Sequence, residues 1–219
     1  MRRQDPHANP QILQAGAPIN EARIVAILLH GRGASAQDIL TLSQEFSVRD
    51  VTYFAPEAAG NTWYPYSFLM PLEQNEPSLS SALHVIEGLV ASMEQRGFPA
   101  NRVALMGFSQ GACLTLEFAA RHAQRYAAIA AFSGGLIGPP GASRNYSGSF
   151  DGTPVFLGCS DVDPHIPVER VLESAEVFAR MDAQVDKRIY PLMGHTINED
   201  EIDAVNALLK AGSIINQTD

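Results

Sequence analysis

Ser109 stands in the run Gly107-Phe108-Ser109-Gln110-Gly111, with one glycine two residues before it and another two residues after. A hydroxyl becomes a useful nucleophile when a base takes its proton, so the chain must present it clear of its surroundings. A sharp turn does this, and it needs almost no side chain at the flanking positions, or the segments entering and leaving would collide. The plainer role for Ser109 is a helix cap. A carboxylate to orient a base is offered by Ser160-Asp161-Val162-Asp163-Pro164-His165-Ile166-Pro167. The residue before a proline is held extended, which suits Asp163 to reach a histidine on another loop, whereas Asp161 could cap the turn. The base is best placed at His195, after Gly194 in Pro191-Leu192-Met193-Gly194-His195-Thr196. His84 and His122 fall within helical patterns, His7 lies in a polar terminus, and His165 shares the carboxylate's own loop. His30 opens the glycine-rich segment His30-Gly31-Arg32-Gly33.

These residues need elements that bring them to one place. Val103 to Met106 is a short apolar run before the serine turn, and Ala112, Leu116 and Ala119 recur after it at helical spacing. Ile24 to Leu29 is apolar throughout, as a strand buried on both faces must be. Further strands are predicted near Gln11 to Gln14, Val51 to Phe54, Ala127 to Phe132, Val155 to Cys159 and Val185 to Tyr190. Helices are predicted over Ala36 to Phe46, Leu79 to Met93, Val168 to Ala179 and Ile202 to Leu209. Strands alternating with helices predict a mainly parallel sheet covered on both faces, and residues 1–219 read as a single domain. Ligands of such sheets bind beyond the carboxyl ends of the strands. The serine, the acid loop, the histidine loop and the glycine-rich segment all follow predicted strands. The order Ser109, Asp163, His195 is that of the α/β-hydrolase arrangement.

Composition narrows the partners. The chain has 219 residues, 46% hydrophobic and 18% charged, which is globular. Its 15 basic and 24 acidic residues leave a net charge of −9, which disfavours nucleic acid and anionic membrane surfaces. No apolar run approaches bilayer length, so integral membrane contact is not expected. The arginines at the N-terminus lack an apolar segment behind them, which predicts no signal peptide and a cytoplasmic protein. Cys113 and Cys159 lack metal-ligand spacing and are expected as buried free thiols. The chemistry above calls for neither metal nor organic cofactor. A long loop, Glu57 to Glu76, supplies Trp63, Tyr64, Tyr66, Phe68, Leu69 and Met70. Near the site these would wall an apolar acyl channel; elsewhere they would pack the core edge or a dimer contact.

HGRG, GFSQG, SDVDPHIP and the final GH, with TWY in the long loop, resemble the phospholipase/carboxylesterase family, which includes acyl-protein thioesterases. The resemblance runs from about Ile24 to Leu209. It implies an α/β-hydrolase fold with little or no lid, often homodimeric, acting on carboxylic esters, lysophospholipids or acyl thioesters. By position it makes Ser109 the nucleophile, Asp163 the acid and His195 the base. Arg32 and Gln110 then supply the backbone N–H groups of an oxyanion hole, and Trp63, Tyr64, Phe68 and Leu69 would contact a small or lipid-like ester. The chain departs from the family at Arg32, where an aliphatic residue is usual, and at Pro65, where an acid is usual. Two other readings of the fold are a lactone hydrolase like the dienelactone-hydrolase branch and a binder that does no chemistry. Serine in place of cysteine at position 109 speaks against the first, and the three intact polar residues against the second.

Overall fold

The computed structural model describes residues 5–215. Its sheet holds seven strands: β1 Ile12–Gly16, β2 Ile24–Leu29, β3 Val51–Pro56, β4 Val103–Phe108, β5 Ala128–Phe132, β6 Pro154–Ser160 and β7 Gln184–Tyr190. They lie in the order β1-β3-β2-β4-β5-β6-β7. Only β1 runs antiparallel, against β3; every other pairing is parallel. The helices are α1 Ala36–Leu40, α2 Ser78–Gln95, α3 Gln110–Arg121, α4 Val168–Arg180 and α5 Glu199–Ile215.

The uniform apolarity of β2 follows from the two-residue alternation of a strand. Val25, Ile27 and Leu29 enter a core with Leu83 and Ile86 of α2, Leu116 of α3 and Phe178 of α4. Ile24, Ala26 and Leu28 face the other way, into a second core with Ile39 of α1 and Val205 and Leu209 of α5. A polar residue anywhere along β2 would therefore meet a packed apolar layer. Parallel strands also put the carboxyl ends of β2, β4, β5 and β6 on one edge, and the site lies there.

The segment expected as one helix from Ala36 to Phe46 changes character part-way. Ser35 and Asp38 form a reciprocal cap that starts α1. Then Thr41 Oγ1 and Ser43 Oγ each donate to the carbonyl three residues back, both at 2.6 Å. These bonds draw Thr41–Gln44 into a tighter 3₁₀ turn. Strand ends elsewhere move by a residue or two from the expected positions. The loop from Glu57 to Glu76 is braced by buried Asn75, whose Oδ1 accepts from the Tyr66 N–H at 2.9 Å while its Nδ2 donates to Ser67 O at 3.1 Å.

Candidate active site

β4 delivers the chain to Ser109, which takes φ 56° and ψ −118°, a backbone conformation that costs a residue with a side chain on the order of 1–3 kcal/mol. Hydrogen bonds hold it there: Ser109 N–H donates to Phe132 O at 2.9 Å, and Cys113 N–H donates to Ser109 O at 3.0 Å. The glycines have the space-saving role their spacing implied. A Cβ on Gly107 would come within 2.4 Å of Gly111 O, and one on Gly111 within 2.1 Å of Leu29 O. The Ser109 hydroxyl makes no cap bond to α3. It lies 2.9 Å from His195 Nε2 instead.

His195 Nδ1 lies 2.7 Å from Asp163 Oδ2, so the three side chains form one hydrogen-bonded chain. The Asp163 carboxyl is fully buried, and the His195 side chain is 18% exposed. Burial alone would raise the Asp163 pKa. The bond from His195, with those from the His165 and Ile166 N–H groups to Oδ1 at 2.8 and 3.0 Å, outweighs burial and holds the carboxyl below its usual range. With Asp163 accepting at Nδ1, Nε2 of a neutral His195 is free to take a proton from Ser109. The His195 ring packs between Phe108, 4.9 Å away between centroids, and the edge of His165 at 4.8 Å. Asp161 joins the two loops, accepting from the Leu192 N–H at 2.8 Å, and Ser160 Oγ accepts from the Gly194 N–H at 3.1 Å.

On the other side of Ser109, the segment after β2 runs close against it: a Cβ on Gly31 would lie 3.3 Å from Ser109 Cβ. Arg32 follows. The Gln110 N–H belongs to the first turn of α3, where donors have no partner within the helix. The Gln110 side chain has a role that its position beside the serine did not foretell. It accepts from the Trp63 N–H at 3.0 Å and donates to Tyr64 O at 2.8 Å, fastening the aromatic loop to α3. The Arg32 guanidinium fastens the same loop from outside, donating to Pro65 O at 2.8 Å and to Tyr66 O at 2.6 Å.

The aromatic loop divides. Tyr64 and Phe68 line a cavity of about 510 Å³ that also reaches Arg32, Ser109, Gln110 and His195. Trp63 and Leu69 do not line it. Trp63 is fully buried, and its indole N–H donates to His30 O at 2.9 Å, bracing the glycine-rich segment from below. His30 is buried as well, its Nε2 accepting from the Ala58 N–H at 3.1 Å, which leaves the proton on Nδ1 for Gly31 O. His7, expected in a polar terminus, is buried and bonded to Trp63 O at 2.8 Å. Periodicity could not find these braces, because each joins segments far apart in the chain.

The two thiols are free and buried, and burial pushes both Cys113 and Cys159 up to about 12, so neither competes as a nucleophile. Among the described residues no group of three or more His, Cys, Asp or Glu side chains is placed to hold a metal ion. No helix among them is long and apolar enough to cross a membrane.

The sequence matches the model of the phospholipase/carboxylesterase family over residues 10–212. The chain belongs to that family. A crystal structure of a phospholipase/carboxylesterase from Dyadobacter fermentans is 45% identical, superposes with a TM-score of 0.88, and is matched over 92% of this chain and 97% of that one. Acyl-protein thioesterase 1 of Saccharomyces cerevisiae is 27% identical over 90% of this chain and 96% of its own length. A carboxylesterase from Bacillus cereus, 15% identical with a TM-score of 0.71 over 94% of this chain and 95% of that one, shares the fold. The α/β-hydrolase fold of this phospholipase/carboxylesterase family member accounts for the carboxyl-edge position of its candidate site.

Proposed function

We propose that this family member is a serine hydrolase of carboxylic esters working through Ser109, His195 and Asp163. The observation that carries the reading is the continuous hydrogen-bonded chain from Ser109 Oγ through His195 to Asp163, at 2.9 and 2.7 Å, opening into the cavity. His195 Nε2 takes the Ser109 proton as Oγ attacks the acyl carbon. The oxyanion that forms is met by the backbone N–H groups of Arg32 and Gln110, each donor being worth about 3 kcal/mol in such sites. His195 then hands its proton to the leaving oxygen, and the alcohol departs. A water molecule, deprotonated by the same imidazole, attacks the acyl-enzyme and releases the acid and free Ser109.

Tyr64 and Phe68 form the apolar wall against which the substrate lies, and the substrates are carboxylic esters, lysophospholipids or acyl thioesters. The test is turnover of a panel of simple esters, thioesters and lactones by the wild type and by Ser109→Ala. Hydrolysis of esters that vanishes in the variant supports the reading. Activity confined to lactones, or activity that survives the substitution, overturns it.

A further inference from the structure

Arg32 carries a permanent charge on the wall of the cavity, and no salt bridge among the described residues reaches it. Its two partners, Pro65 O and Tyr66 O, fix the guanidinium without neutralising it. The carbonyls use one N–H on each terminal nitrogen, so the second N–H of each and the Nε–H remain for a ligand. The planar fork thus faces its surroundings already oriented, with the Tyr64 ring 6.0 Å from its centre. No aspartate or glutamate lines the cavity, although the chain as a whole carries −9.

Strand order says which part of a substrate would meet this charge. β2 neighbours β4 on one side, while β6 lies two strands away on the other. Arg32 follows β2, Ser109 follows β4, and the Asp163 loop that holds His195 follows β6. His195 must protonate the leaving oxygen, so the alcohol portion lies on the β6 side. The acyl portion then extends the opposite way, past Tyr64 toward Arg32, while Phe68 stands on the alcohol side, its ring 5.8 Å from the guanidinium of Arg170 in α4.

We infer that the preferred substrates are esters whose acyl portion itself carries an anion, a carboxylate or a phosphate, paired with the Arg32 guanidinium. The inference rests on the serine-hydrolase reading above and names its substrate class. Hydrolysis of a carboxylate-bearing ester of this kind consumes one water and yields a dicarboxylate, an alcohol and one proton. The overall negative charge of the chain would by itself slow any anionic substrate, so a preference for one requires a local cation.

The experiment compares kcat/KM, by acid release at constant pH, for three esters: monoethyl glutarate, neutral ethyl pentanoate of the same acyl length, and the pentanoate ester of glycolate, whose carboxylate sits on the alcohol. The wild type is expected to favour monoethyl glutarate over ethyl pentanoate by about tenfold, a charge-assisted pair discounted for the exposure of Arg32. Added salt should erode that ratio. Arg32→Leu should bring it to one or below whatever it does to the neutral ester, and Arg32→Lys should keep part of it. Because the comparison is a ratio, loosening of the Pro65–Tyr66 loop in the variants does not imitate the result. A wild-type ratio near one, a ratio unchanged by Arg32→Leu, or a preference for the glycolate ester overturns the inference while leaving the serine-hydrolase reading in place. Hydrolysis of none of the three overturns the inference, and the serine-hydrolase reading falls with it if the wider panel of esters and thioesters is also left intact.

Discussion

Asp161 Oδ1 accepts the Leu192 N–H at 2.8 Å, and this bond ties the loop that carries Asp163 to the loop that carries His195. Two aspartates separated by one residue therefore have different duties: one orients the imidazole, and the other fixes the distance between the loops.

The division is measurable in kcat on a p-nitrophenyl ester. Asp163→Asn should lose about 10⁴-fold, because the amide stabilises the wrong histidine tautomer. Asp161→Asn keeps an oxygen that can accept from Leu192 and should stay within about tenfold of the wild type. Comparable losses in the two variants would show that Asp163 has no special role.

The glycine at 111 admits no substitute. A Cβ there would lie 2.1 Å from the backbone oxygen of Leu29 at the end of β2, and neither segment can move without shifting the sheet. Gly111→Ala should lower stability by about 3 kcal/mol or prevent folding. Gly88 is the internal control: it lies inside α2, and a Cβ there meets nothing within 4 Å. Gly88→Ala should stabilise the chain by about 0.5–1 kcal/mol, read as a rise in Tm. Equal effects of the two substitutions would contradict the packing described for the serine turn.

Glu201 gives the molecule a pH-dependent stability. It is fully buried in the first turn of α5, where Oε2 accepts from the Asn198 N–H at 2.9 Å. Its other oxygen has no partner among the described residues and faces Gly158, where a Cβ would come within 2.0 Å. Burial pushes its pKa up to about 7. The folded chain thus keeps this proton to a higher pH than the unfolded chain does. Its contribution to stability falls as pH rises from the ordinary glutamate range to about 7, by up to about 3 kcal/mol, and the loss is complete above that. Thermal unfolding of the wild type and Glu201→Gln at pH 5 and pH 8 checks this. The variant should gain on the wild type at pH 8 relative to pH 5, and parallel behaviour at both pH values would rule the account out.

Much of this was written in the sequence because the physics is local. Ile24 to Leu29 read as a doubly buried strand because an unbroken apolar run of six residues, closed by the glycines after His30, is strand length and too short for a buried helix. The order of strand ends then put Ser109, Asp163 and His195 on one edge of the sheet. The residues that sequence reasoning misplaced are those whose partners are remote in the chain. Trp63 looked like a channel aromatic because its neighbours Tyr64 and Phe68 are; only the fold shows its indole beneath His30. The Arg32 side chain is another case: it lines the cavity, but the carbonyls of Pro65 and Tyr66 that hold it there lie more than thirty residues along the chain. The helix expected from Ala36 to Phe46 stops at Leu40, where side-chain hydroxyls bond their own backbone, which hydrophobic spacing does not register.

The central claim is that Ser109 is the nucleophile and that His195 activates it. Covalent labelling with a fluorophosphonate, located by peptide mass spectrometry, tests it most directly, since the probe forms a stable adduct only with a hydroxyl whose proton is taken as it attacks. The account predicts a single adduct on Ser109, none in Ser109→Ala, and labelling slowed by about three orders of magnitude or more in His195→Ala. An adduct on another residue, or labelling at full rate without His195, would contradict it.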